Sequence, residues 1–271
     1  MMTEQTSTAV ESSGPEGTAI YVYGIVLASD GNEGAESLPE AGPVVGGGEQ
    51  AVRQVRRGKL AALVSELSPD HPLGKPEDLM AHARIVDQVA AKASVLPFKF
   101  GAVVTDEQAV KDELIGPNED QFLSALKALD GQAEFLVKGR YIEEAVLREV
   151  LAENPDAGKL RDQIAGQLED VTRDARIALG EVVNQAIEAK RQADTQLVAQ
   201  MLEPFASVTN VREATNELDA AAIAVLAPRS QQKDIEQAVG ELAKNWDGRV
   251  DITLFGPIAA YDFVVTQASE A

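Results

Sequence analysis

Only two histidines, His71 and His82, could move protons near neutral pH in this chain of 271 residues, and their contexts argue against catalysis. His71 sits in Pro-Asp-His-Pro, a turn-forming setting, and His82 falls inside a helical pattern, so both read as structural. No His-Glu-x-x-His, Gly-x-Ser-x-Gly or phosphate-loop spacing occurs. The run Gly46-Gly47-Gly48 precedes Glu49 rather than a helix, so it reads as a flexible linker and not as an anion cradle. There are no cysteines, which removes disulfides, thiolate metal sites and a thiol nucleophile together. Carboxylates are abundant, but paired acid–base work needs a proximity that sequence does not give. No catalytic residue, metal site or cofactor is expected.

The other chemistry on offer is charge. The chain carries 44 acidic and 24 basic residues, a net charge of −20. Such a surface repels nucleic acid, and the acidity serves solubility. Against it stands one dense basic cluster, Arg53, Arg56, Arg57 and Lys59, which suits either internal compensation or docking to an acidic partner. The longest apolar runs, such as Ala220–Ala227, fall well short of the roughly 20 residues that span a bilayer. The polar start offers no secretory signal pattern, so no membrane partner and a cytoplasmic location are expected.

The elements that position these residues follow from periodicity. Residues 1–17 lack any pattern and read as a disordered tail. AIYVYGIVLA (19–28) is a dense β-branched and aromatic strand, central in its sheet, and 30–50 reads as an exposed acidic loop. AVRQVRR and KLAALVSEL form a hairpin about Gly58. Pro76 opens a helix whose apolar positions are Leu79, Ala83, Val86 and Val89 or Ala90. SVLPFKFGAVV (94–104) is the next strand, with Leu96, Phe98 and Phe100 on one face and Pro97 and Lys99 on the other. Pro97 cannot donate to a ladder, so this strand lies at an edge or carries a bulge. A helix over about 106–129, bent at Gly116-Pro117, leads to the strand QAEFLVKGRYI.

From 143 to about 205 the pattern is helical, broken at Asn154-Pro155. Leu160, Ile164, Leu168, Val171, Ala175, Leu179, Val182, Ala186 and Ala193 make one narrow apolar stripe, suited to a helical hairpin or to an arm that binds a partner. Strands at 206–212 and 217–227, a helix at 231–245, the strand RVDITLFG and a last strand AAYDFVVT complete a ββαββ set of ferredoxin-like type. The fold class is therefore α+β in two domains: an N-terminal α+β sandwich (18–141) with helices on one sheet face, and a C-terminal domain (142–271) of long helices and a ferredoxin-like sheet.

Three stretches in order, YVYGIV, SVLPFKFGAVV and LFGPIAAYDFV, resemble the GvpL/GvpF family of gas vesicle proteins. KLAALVSEL, AHARIVD and EFLVKGRY extend the resemblance over most of the chain. It implies a non-enzymatic accessory or minor structural protein that helps to assemble a gas-filled protein shell. The implied partners are the small hydrophobic wall protein GvpA and other accessory Gvp proteins. The motif residues Leu96, Pro97, Phe98, Lys99, Phe100, Gly101, Gly256, Pro257, Tyr261 and Phe263 become candidates for partner binding. Two readings stand beside this one: a ferredoxin-like protein that binds or transforms a small ligand, and a general helical adaptor.

Overall fold

The computed structural model describes residues 19–28, 38–39, 41–47, 51–68 and 71–264. The expected tail at 1–17 and much of the acidic segment 30–50 lie outside the described residues. Two antiparallel sheets organise the rest.

The first sheet is made of β1 (Ala19–Leu27), β2 (Arg53–Arg57), β3 (Leu60–Leu67), β4 (Val95–Pro97) and β5 (Val103–Val104). Its order is β2-β3-β1-β4, with β5 also beside β1. The β2–β3 hairpin closes with Arg57 opposite Leu60, and Gly58 takes φ +56°, a conformation that glycine adopts at little cost. Both β1 and β3 are apolar at successive positions, so both faces of the sheet need a cover. Helix α1 (Pro76–Ala90) packs on one face, placing Ile85, Val86 and Val89 against Tyr21, Tyr23 and Leu63. A bent helical segment packs on the other: one α-turn at Glu107–Ala109, a π-turn at Val110–Ile115, a 3-10 turn at Gly116–Asn118, then α2 (Glu119–Ala128). Val110, Ile115, Phe122 and Leu126 meet Ile20, Val22 and Leu96 there. Helices thus cover two faces of the sheet, not the single face expected from the sequence. Helix α1 also sits differently, because Leu79 and Ala83 are exposed while Asp78, Ala81 and His82 are buried. Its inward face includes two polar residues, which displaced the apolar pattern.

The second sheet contains β6 (Gln132–Tyr141), β7 (Val208–Val211), β8 (Asp219–Pro228) and β9 (Val250–Ile258), in the order β7-β8-β6-β9. With helices between β6 and β7 and between β8 and β9, this is the ferredoxin-like order. Strand β6, assigned to the first domain by its position before residue 141, is one of the two central strands of this second sheet. It fills the place expected for AAYDFVVT. Residues 259–264 form no strand and leave the sheet after Ile258, just past the cis peptide Gly256-Pro257 within β9.

One face of the second sheet carries α3 (Glu143–Glu153), α4 (Pro155–Ile164), α5 (Arg173–Leu202) and α6 (Gln232–Asn245). Asn154 separates α3 from α4, and its side chain accepts from the Asp156 and Ala157 N–H groups, with Pro155 at the first helical position. Helices α4 and α5 form the hairpin, but the stripe is not continuous: Leu168 and Val171 stand 78% and 76% exposed at its tip. Farther along α5 the buried residues are Ile187, Asp194, Val198 and Leu202, while Ala193 is exposed. Asp194 is buried because Arg249 reaches it with two hydrogen bonds, at 3.2 and 2.8 Å, and the Tyr141 hydroxyl donates to it at 2.6 Å. Arg249 also bonds Glu149 and lies 5.5 Å from both the Tyr141 and Trp246 rings, so one guanidinium ties α3, α5 and β6.

Gly24 marks the closest approach of β1 and β4. A β-carbon there would stand 2.5 Å from the Leu96 carbonyl oxygen, which is backbone and cannot swing aside. Gly24→Ala is expected to destabilise the fold by about 2–3 kcal/mol, measured by urea unfolding.

Candidate functional site

The quoted motifs, distant in sequence, meet around His82. On β1 the Tyr21 hydroxyl lies 2.9 Å from His82 Nδ1, and the Phe98 carbonyl lies 3.1 Å from His82 Nε2. Because a carbonyl only accepts, Nε2 carries the hydrogen and Nδ1 accepts from Tyr21. The Tyr21 oxygen in turn accepts from the Gly101 N–H at 3.2 Å. A relay therefore runs from the 98–101 turn through β1 and α1 and back to that turn. Tyr23, stacked on the imidazole, bonds Ser65 and receives the Val45 N–H. The rings of Phe100 and Tyr261 complete the cluster at 5.9 and 6.3 Å from His82.

Edge strand and bulge both occur in the 94–104 segment. Gly24 pairs with Pro97 and Tyr21 with Val103, three positions on β1 against six on its neighbour. The surplus residues turn outward at Lys99 and Gly101, which are exposed, with Gly101 at φ +100°. The turn also divides the expected face: Leu96 and Phe98 pack with Val22 and Phe122, while Phe100 packs on the opposite side with Tyr21. Leu96, Pro97 and Phe98 are buried.

The terminal motif crosses from one sheet to the other. Ala259 and Ala260 are buried in the two apolar clusters of the first sheet, and Phe263 packs with them. The Ala259 N–H donates to Asp87 on α1 at 3.0 Å, and the Asp262 N–H donates to Glu134 on β6 at 3.0 Å. Gly256 at φ +146° lies against Phe135 and the Glu134 carbonyl, with no room for a β-carbon. Gly256, Pro257, Tyr261 and Phe263 are half-buried. The burial of these motif residues fits them first for joining the two sheets.

The other sequence candidates lie apart from this cluster. Arg53 pairs with Glu107 at 2.5 Å, and Arg57 bonds Asp112 and the Lys111 carbonyl, each at 2.6 Å. Arg56 reaches Gln54, and Lys59 is exposed at the hairpin turn. Arg53 and Arg57 thus tie β2 to the bent helical segment, compensating charge within the fold at those two positions. The glycine run is no free linker where it is described: Val44 and Val45 are buried, and the Gly46 N–H donates to Asp78, itself bonded to His71. Sequence reading missed Glu134, Asp87 and Asp194; a carboxylate at an inward position of a strand or helix was the available signal. Among the described residues no cluster of His, Asp and Glu could hold a metal ion, and no helix is long and apolar enough to cross a membrane.

Burial pushes the His82 imidazole down to about 4 from its ordinary 6.5, against the opposing pull of the Phe98 carbonyl. The folded chain binds this proton less readily than the unfolded chain does. His82 therefore gives its full stability above about pH 6.5, and that stability is lost as pH falls towards 4. Relative to His82→Gln, which keeps a donor and an acceptor, the native chain is expected to lose roughly 3 kcal/mol across that window, read from urea midpoints.

Comparison with known proteins follows the same boundaries. Residues 19–265 match the family described as gas vesicle synthesis protein GvpL/GvpF. Gas vesicle protein F of a Streptomyces species is 34% identical over 247 residues, covering 90% of this chain and 98% of that protein. The counterpart from Dolichospermum flosaquae is 24% identical over 246 residues, covering 90% and 96%. In three dimensions the crystal structure of GvpF from Anabaena sp. aligns with a TM-score of 0.73 at 22% identity, covering 91% of this chain and 98% of that one. GvpF from Microcystis aeruginosa aligns with a TM-score of 0.72 at 20% identity, covering 91% and 99%. The chain belongs to the GvpL/GvpF family of gas vesicle synthesis proteins.

Proposed function

We propose that this chain is a non-catalytic accessory or minor structural protein of gas vesicles, which binds the wall protein GvpA and other accessory Gvp proteins and helps to nucleate or assemble the shell. The observation that carries the reading is the family match across residues 19–265. Tyr21, Tyr23, Ser65 and His82 hydrogen-bond one another and the backbone where the motifs meet, which supports a scaffold rather than a reaction centre. It works in the cytoplasm and at the vesicle.

A wall subunit must present an apolar face to gas, and before assembly such a face seeks partners in water. An acidic protein with unpaired strand edges can shield it by strand addition. The second sheet offers two outer edges, β7 with Val208 and Val211 each 52% exposed, and β9 with Phe255 44% exposed. The Lys99 turn is a third exposed feature.

Tagged protein co-expressed with GvpA is expected to capture it from lysate. Val208→Lys with Val211→Lys, or Phe255→Lys, should lower the captured amount several-fold while circular dichroism stays unchanged, because lysine on an edge opposes pairing. Lys99→Glu tests the turn in the same assay. Absence of GvpA from every capture would overturn wall-protein binding.

A further inference from the structure

Glu134 is wholly buried on β6, at the point where the terminal segment crosses between the sheets. Its Oε2 accepts from the Asp262 N–H at 3.0 Å, and its Oε1 accepts from Arg212 at 3.3 Å. Arg212 lies closer to Asp262, to which it donates twice, at 2.7 and 2.8 Å. Asp87 faces the same spot from α1 and holds the Ala259 N–H. Tyr261, near these carboxylates, has a buried hydroxyl with no hydrogen-bond partner among the described residues. The groups that act on Glu134 are thus one guanidinium, two further carboxylates and a neutral phenol.

We propose that Glu134, Arg212 and Asp262 form a proton-sensitive latch that fastens residues 259–264 across the two sheets, tight when Glu134 is protonated and looser when it is ionised. Three carboxylates around one arginine leave an excess of negative charge, and taking up one proton relieves it. The direction agrees: burial first, then the charges of Asp262 and Asp87, lift the Glu134 carboxyl to about 7 against the pull of the Asp262 N–H and Arg212. A raised carboxyl makes docking proton-linked, so its contribution is complete below about pH 4.5 and is lost as pH rises through 7. Opening would uncover Ala259, Ala260 and Phe263 together with the apolar clusters that they close. The latch stands apart from the wall-protein reading and needs no partner.

His82 titrates with the opposite sign over an overlapping window, so whole-chain melting would mix the two, and a local readout is required. Hydrogen exchange of the peptide covering 256–264, corrected for intrinsic rates, should show protection falling at least tenfold from pH 5 to pH 8.5. In Glu134→Gln, which stays uncharged, protection should remain level over that range. In parallel, a carbon-13 carbonyl titration of Glu134 in the unaltered chain should place its midpoint near neutrality. Protection independent of pH, a pH dependence that survives in Glu134→Gln, or a Glu134 midpoint in the ordinary carboxylate range would each overturn the latch.

Discussion

A neutral imidazole held between a tyrosine hydroxyl and a backbone carbonyl fixes the geometry of the first sheet. His82 can be satisfied in that place only in one tautomer, so Tyr21 must point from β1 and the 98–101 turn must fold back over α1. That turn consumes the surplus residues of the edge strand and sends Phe100 to the far side from Phe98. The terminal segment then rests on the cluster through Tyr261 and Asp87. Removing charge from the centre is what permits this stacking, because an imidazolium there would need an anion that the apolar surroundings do not supply.

The two halves meet their electrostatic demands differently. In the second sheet, Arg249 and Lys190 together balance Asp194 and Glu149, with Arg249 lying against two aromatic rings, so acids and bases are evenly matched. At the junction of the sheets, Arg212 serves Asp262 and Glu134 with Asp87 nearby, and the match is incomplete. Buried carboxylates without full compensation move their titration towards neutrality. The junction accordingly holds a carboxyl, that of Glu134, lifted by burial towards neutrality, whereas in the helical half Lys190 and Arg249 hold the Glu149 carboxyl below its ordinary range against the effect of burial.

Much of the fold was legible because its signals are local. Strand β1 declared itself central by unbroken apolar character, Pro97 announced an edge and a bulge, and Asn154-Pro155 marked a helix boundary that the Asn154 side chain then capped. What misled were positions where a polar residue turns inward. Asp78 and His82 displaced the reading of α1, and Asp194 took the place expected of Ala193. Strand β6 was put in the first domain because chain order is a local cue and sheet membership is not: its partners, β8 and β9, follow only after the whole helical segment. The spacing of the motif residues gave no hint that Phe100 and Tyr261, more than 150 residues apart, both lie against His82. Glu134, an acid inside an apolar strand, was the one residue of the junction that alternation could have exposed.

That long-range membership bears on how the chain is made. The first sheet and its helices are complete within residues 19–128, so this half can collapse while the remainder is still being synthesised. Strand β6 emerges next, with both of its edges destined for β8 and β9, the latter ending at Ile258. Through most of elongation this largely buried central strand waits for its partners, with the helices α3 to α5 following it directly in the chain. Contacts of such wide sequence separation form slowly, and unpaired edges invite the wrong neighbour. Residues 259–264 are made after every strand of both sheets, so the bond between the halves can form only once those strands have been synthesised.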